Sequence, residues 1–156
     1  MRRIKFAIAT WLVLLLSACG SSPQPLNING GWFALLKNPD GSTAFTFQVT
    51  LTQGGGTAVN ITNFTFEPSP PCFVATISET GTFSSTRNSN GLVTGTLLMT
   101  VSTTFPASQN VLTLQGTRNT GAVDFGSISG TWTLTGQSGC TGNGNFTMNL
   151  PQSDPP

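Results

Sequence analysis

A chain of 156 residues, 37% hydrophobic and 7% charged with a net charge of +1, is long enough for one packed domain and lacks the cation excess that seeks a phosphate backbone. It contains no histidine and only three cysteines, which excludes the usual imidazole base, Ser–His and Cys–His nucleophile pairs, and a zinc cage. No cofactor and no nucleic-acid partner is expected.

The chain opens with Arg2, Arg3 and Lys5, followed by an apolar run of 11 residues from Phe6 to Leu16. A helix needs roughly 20 apolar residues to cross a bilayer, so this run is too short for a permanent span. It has the secretory order instead: a basic start, a short apolar region, then small residues. The run ends in Leu16-Ser17-Ala18-Cys19. With that ending, residues 1–18 resemble a bacterial lipoprotein signal peptide whose lipobox is cut by signal peptidase II. The resemblance implies cleavage before Cys19 and lipid, palmitate included, on its sulfur and new amino group. The membrane would then be a partner, held through Cys19. An ordinary signal peptide with an incidental cysteine, or a short buried helix, are the competing readings. One acyl chain contributes about 0.8 kcal/mol per buried methylene and holds only marginally, whereas the two or three chains implied here would make attachment lasting. The residue after Cys19 is Gly20 rather than Asp. In Gram-negative members of that family this implies delivery to the outer membrane, and in any case a cell-envelope location.

Without residues 1–18 the chain keeps 138 of its 156 residues, and its charges become Lys37, Arg87 and Arg118 against Asp40, Glu67, Glu79, Asp124 and Asp154, a net −2. Solubility then rests on Thr, Ser, Asn and Gln. If Cys19 carries lipid, Cys72 and Cys140 remain as one possible pair in an oxidising compartment. A bridge closing so long a loop contributes about 4 kcal/mol in the chain-entropy model. Two free thiols buried as small apolar side chains are the alternative.

The segment 19–28 reads as the lipidated cysteine and a flexible tether. Its Gly20–Asn27 stretch, with Pro23 and Pro25, reaches about 25–30 Å when fully extended. From Asn29 the pattern is β. A strand around Trp32 to Leu36 leads through the turn Asn38-Pro39-Asp40-Gly41 into Phe45, Phe47, Val49 and Leu51, which alternate with polar residues. Gly54-Gly55-Gly56 reverses the chain. Val59 and Ile61 then share one parity and Phe64 and Phe66 the other, which predicts a bulge near Thr62-Asn63. Pro68 to Pro71 is a loop. Cys72 is expected to open a strand with Phe73, Ala75 and Ile77 on one face, followed by a separate short strand at Thr82 to Arg87 and an Asn90-Gly91 hairpin.

Val93, Gly95, Leu97, Met99 and Val101 share a face, and Phe105-Pro106 ends that strand. Val111 to Thr117 is the next, with a turn at Asn119-Thr120-Gly121. Val123 and Phe125 differ in parity from Ile128, Trp132 and Leu134, which marks Gly126 as a bulge or corner. A glycine-rich loop carries Cys140, and Phe146, Met148 and Leu150 form the last strand. The β domain is placed at 29–150 and a disordered tail at 151–156.

The fold class is therefore all-β: an antiparallel meander of eight or nine strands. An up-and-down barrel is preferred over a two-sheet sandwich, because tight hairpins pair neighbours in order and closure removes edges. Gly30-Gly31-Trp32 resembles the Gly-X-Trp start of lipocalin-like barrels. That resemblance implies a Trp plugging the closed end, offers Arg118 as the arginine that packs on it, and implies a small apolar ligand inside. The chain departs from the family pattern in lacking a Thr-Asp-Tyr turn, a C-terminal helix and any tyrosine. Gly130-Thr131-Trp132 repeats the spacing, and both tryptophans are read as core or plug residues.

Thr50-Leu51-Thr52, Thr94-Gly95-Thr96 and Thr131-Trp132-Thr133 lack the fixed period of an ice- or glycan-binding array and read as exposed strand faces. Asn60, Asn63 and Asn145 begin glycosylation-type triplets but read as polar face residues. No catalytic residue is assigned: a Ser–Lys dyad would need Lys37, and Asp40 and Asp124 show no sign of meeting as a pair. A non-enzymatic envelope protein acting by binding another envelope protein or as a structural surface component is the first expectation. A carrier of a small apolar ligand is the second, and a barrel interior filled by Phe, Leu and Trp would remove it. A hydrolase is the third.

Overall fold

The computed structural model describes residues 26–104, 109–119 and 126–150. Among the described residues eight strands, β1 (Gly30–Lys37), β2 (Thr43–Gln53), β3 (Ala58–Phe66), β4 (Ile77–Arg87), β5 (Val93–Thr103), β6 (Val111–Asn119), β7 (Ile128–Thr135) and β8 (Gly142–Asn149), form a closed barrel in sequence order. Every neighbouring pair is antiparallel, and β8 closes onto β1 through Phe33↔Asn149 to Lys37↔Asn145. The sandwich is therefore excluded. The readings at Cys19, at 105–106, at 120–125 and at 151–156 lie outside the described residues.

The period-two pattern sets which residues fill the barrel. Trp32, Ala34 and Leu36 of β1, Phe47, Val49 and Leu51 of β2, and Val93, Leu97, Met99 and Val101 of β5 are buried, while their polar neighbours in sequence point outward. Small residues make room for large ones: a Cβ on Gly95 would lie 2.1 Å from Cζ of Phe83, so the tip of that ring occupies the space a side chain there would take. Largely apolar inward positions make closure favourable, and closure gives every strand a neighbour on both sides in a chain with few charges to guard an edge.

The bulge expected near Thr62-Asn63 is present. Gln48 pairs with Thr65 and Thr50 with Thr62, so Val49 faces both Asn63 and Phe64. Asn63 adopts φ 52°, a left-handed conformation that Asn tolerates better than most residues. The extra residue restores Phe64 and Phe66 to the inward parity.

Three expectations are corrected. Cys72 does not open a strand: Pro71–Phe73 is a single 3-10 turn, started by Pro70 and Pro71, which fix φ and supply no ladder donors. The strand begins at Ile77 and runs unbroken through Gly81 to Arg87, so the two short strands expected here are one. Gly81 does not interrupt it because the Ile61 side chain from β3 covers the space a side chain would take. The packed domain also begins ahead of residue 29. Ile28 is fully buried and Leu26 packs against the core, so these two residues belong with the barrel rather than with the tether expected over 19–28.

Candidate functional site

The two mouths of the barrel and the space between them decide what the molecule can hold. At the first mouth lie the start of β1, the β2–β3 and β4–β5 turns and the end of β8. At the second lie the β1–β2 turn and the loops carrying Cys72, Asn110 and Cys140.

Trp32 plugs the first mouth. It is 2% exposed, and its indole Nε1 donates to the Ile28 carbonyl at 2.8 Å, so the one polar atom of a buried ring is satisfied. The Arg118 guanidinium of β6 lies 5.7 Å from the Trp32 ring centroid and donates to the Asn27 carbonyl. The contact implied by the Gly-X-Trp resemblance is thus present. Burial pushes the Arg118 pKa down from its usual value, without bringing an arginine near neutrality. Its charge is retained over the ring face, where a cation is attracted to the aromatic quadrupole. Asn29 completes the closure by accepting from the Gln53 amide.

The second mouth carries the second tryptophan. Trp132 is also 2% exposed, and its Nε1 donates to the Lys37 carbonyl at 2.9 Å. Trp32 and Trp132 are both core residues, as their sequence positions suggested. Phe45 meets Trp132 edge-on at 5.6 Å, and Phe66 stacks with Phe73 of the 3-10 turn at 4.9 Å. Over this aromatic layer the loops form a lid. A disulfide joins Cys72 and Cys140 across a sequence separation of 68, with Cα atoms 5.6 Å apart. It ties the β3–β4 loop to the β7–β8 loop, on opposite sides of the eight-stranded ring.

Asn110 braces the same lid. It is buried, its amide nitrogen donates to the Cys72 carbonyl at 2.8 Å, and its side-chain oxygen accepts from the Gln137 amide at 3.0 Å. Its own backbone amide donates to the Thr103 hydroxyl. One side chain thus joins three loops. The sequence offered little warning of this, beyond Gly136, which passes so close that any side chain there would collide with Asn110.

Between the mouths, Leu97, Met99, Leu112 and Leu114 have no surface that a water molecule can touch, from inside or outside. The lumen around them is packed as a core rather than held open as a cavity. No family model, curated protein or solved structure matches this chain. The reading therefore rests on the molecule's own geometry.

The remaining sequence candidates are on the outside. Asn60, Asn63 and Asn145 are exposed on the barrel wall. Asp40 sits in the β1–β2 turn, where the Ser42 hydroxyl and amide donate to its carboxylate and hold its pKa below the usual value. That is turn chemistry of the Asx kind. Asp124 lies outside the described residues. Cys72 and Cys140 are the predicted pair that the fold brings together.

Proposed function

We propose that this chain is a lipid-anchored, non-enzymatic protein of the cell envelope, attached through Cys19, whose barrel works through its outer surface. It would bind another envelope protein or form part of the surface structure. The observation that carries the reading is the packed lumen closed at both mouths by Trp32 and by the disulfide-tied lid. A domain with its interior spent on its own core has its wall and loops left for recognition. The Cys72–Cys140 bridge supports an oxidising compartment outside the cytoplasm, as expected for an exported protein. The order of basic start, apolar run and Leu16-Ser17-Ala18-Cys19 supports the anchor. The carrier reading loses support from the same lumen, because a ligand would have to displace buried Leu, Met and Phe side chains.

The test is metabolic labelling with an alkyne fatty acid in a bacterial host, followed by membrane fractionation. The account expects label on the wild-type chain in the membrane fraction and none on Cys19→Ala, which should accumulate with its first 18 residues uncut. Equal labelling of both proteins, or an unlabelled wild type in the soluble fraction, would refute the anchor.

A further inference from the structure

The barrel wall has one interrupted seam. β3 and β4 pair only at Ala58↔Thr82 and Val59↔Gly81, although both strands continue toward the second mouth. By contrast β4 pairs with β5 along its whole length, from Ile77↔Thr103 to Arg87↔Val93. The cause is the Asn63 bulge: it bends β3 along β2, and β4 stays with β5. The ten residues from Glu67 to Thr76 bridge the divergence, too many for a tight hairpin.

Which main-chain groups face the seam follows from the ladder. The Phe83 amide donates to the Thr57 carbonyl at 2.7 Å, so odd-numbered residues of β4 turn their N–H and C=O toward β3. Continuing the register, Ile61 would have met Glu79, and Ile77 lies beyond. That ladder pair is not made, and the N–H and C=O of Ile77 and Glu79 turn toward the interrupted part of the seam. An edge of this kind is a template for another strand.

A second, independent feature lies at the same place. Inward positions of β4 read Ile77, Glu79, Gly81 and Phe83, so Glu79 is a half-buried carboxylate on the parity that elsewhere fills the core. It pairs across the ladder with Val101, which is fully buried. No hydrogen bond or ion pair to Glu79 is found among the described residues. Half-buried Ile77 precedes it on the same face, and half-buried Ile61 reaches over the neighbouring Gly81 from β3. A carboxylate in apolar surroundings beside unpaired main chain is complementary to an extended segment carrying one cation.

We infer that the free edge of β4 at Ile77 and Glu79 accepts an extended peptide strand from a partner protein, with a lysine or arginine of that strand set against Glu79. The partner's backbone continues the antiparallel ladder outward from β4. Its alternate side chains rest on Ile61 and Ile77. The inference rests on the proposal that the barrel works by binding at its outer surface, and it names the place and the chemistry of the partner. With only two residues supplying main-chain bonds, the contact is a weak, transient one by itself.

The test uses the full-length protein in detergent and two short acetylated peptides that alternate Val and Thr, one with a central Lys and the other with a central Glu. Binding is read by NMR titration and by hydrogen exchange of assigned amides. The Lys peptide is expected to shift and protect the Ile77 and Glu79 amides, and the Glu peptide to bind more weakly. Glu79→Gln should weaken the Lys peptide by roughly two- to five-fold, the effect of a partly exposed ion pair. Glu79→Lys should reverse the preference, so that the pair is tested even if one variant is unstable. Ile77 and Glu79 amides as protected in the free protein as those of β5 would mean a closed seam and overturn the inference. Peptide shifts elsewhere on the wall, equal affinity for both peptides, or self-association of the protein through this edge would do the same. These readouts are independent of lipid on Cys19, so a failed anchor and a failed seam are distinguishable.

Discussion

The two mouths of the barrel each carry a tryptophan from a Gly-x-Trp sequence, and they are closed in different ways. At the first mouth Trp32 is covered by the chain leading directly into β1 and by Arg118, a residue already fixed within β6. Closure there belongs to the sheet itself. At the second mouth Trp132 and Phe45 lie beneath loops, and those loops are held by a covalent bridge and by the amide of Asn110. Ordered strands hold their own plug, whereas long loops cost conformational entropy and need a staple to remain in place. The first mouth should therefore open only when the barrel unfolds, and the second should be able to loosen while the barrel stands.

Removing the first plug should have the largest effect. Trp32→Ala is expected to cost about 3–5 kcal/mol, the range for deleting a large buried aromatic. Urea unfolding followed by tryptophan fluorescence and by far-UV circular dichroism should show one coincident transition at lower midpoint. Two separated transitions would mean that this mouth is not part of the cooperative core.

Reducing the disulfide, or replacing both cysteines by Ala, should cost about 2–4 kcal/mol. The expected signature is local: amides at Phe73, Gln137 and Cys140 should exchange faster while those paired in β1 and β2 keep their relative protection. Uniform loss across the barrel would erase the distinction between the mouths.

Asn110→Ala should cost about 1–3 kcal/mol, because the Cys72 carbonyl and the Gln137 amide lose their partner inside the lid. Its effect should be smaller once the disulfide is already absent, since both act on the same loops, and a double-mutant cycle measures that coupling.

The smallest effect concerns pH. Asp40 is held below the ordinary carboxylate pKa by the Ser42 hydroxyl, then by the Ser42 amide. Because the folded value is the lower one, its stabilisation is present above the unfolded carboxylate pKa and is lost as pH falls through the depressed value. The melting temperatures of wild type and Asp40→Asn should differ slightly at neutral pH and converge only in acid. A gap that widens on acidification would contradict the assigned cause.

Much of this architecture is legible in the sequence. Alternation at Phe45–Leu51, Val93–Val101 and Phe146–Met148 reports which face is buried, since a strand half in contact with a core admits little else. The parity change between Ile61 and Phe64 marks the bulge for the same reason. The segment from Cys72 to Ile77 misled because its apolar spacing mimics a strand. Prolines ahead of it determine the backbone, and Phe73 is buried as a lid residue rather than as part of a ladder. The Asn110 brace left almost no trace, because a lone Asn in a polar loop looks the same whether it faces water or two main-chain partners in neighbouring loops. The interrupted seam is hidden as well: it depends on β3 and β4 following different neighbours, which is a property of pairing over long range. Glu79 was a hint, being a carboxylate on an inward parity between Ile77 and Phe83.

The most direct measurement is native mass spectrometry of the full-length protein released from membranes in mild detergent, before and after incubation with a fluorescent fatty acid. The account predicts a mass equal to the processed, lipidated and oxidised chain, with no added small molecule and no uptake of the probe into the barrel. A stoichiometric apolar ligand that stays bound through purification, or saturable one-to-one uptake of the fatty acid, would contradict a lumen packed as a core.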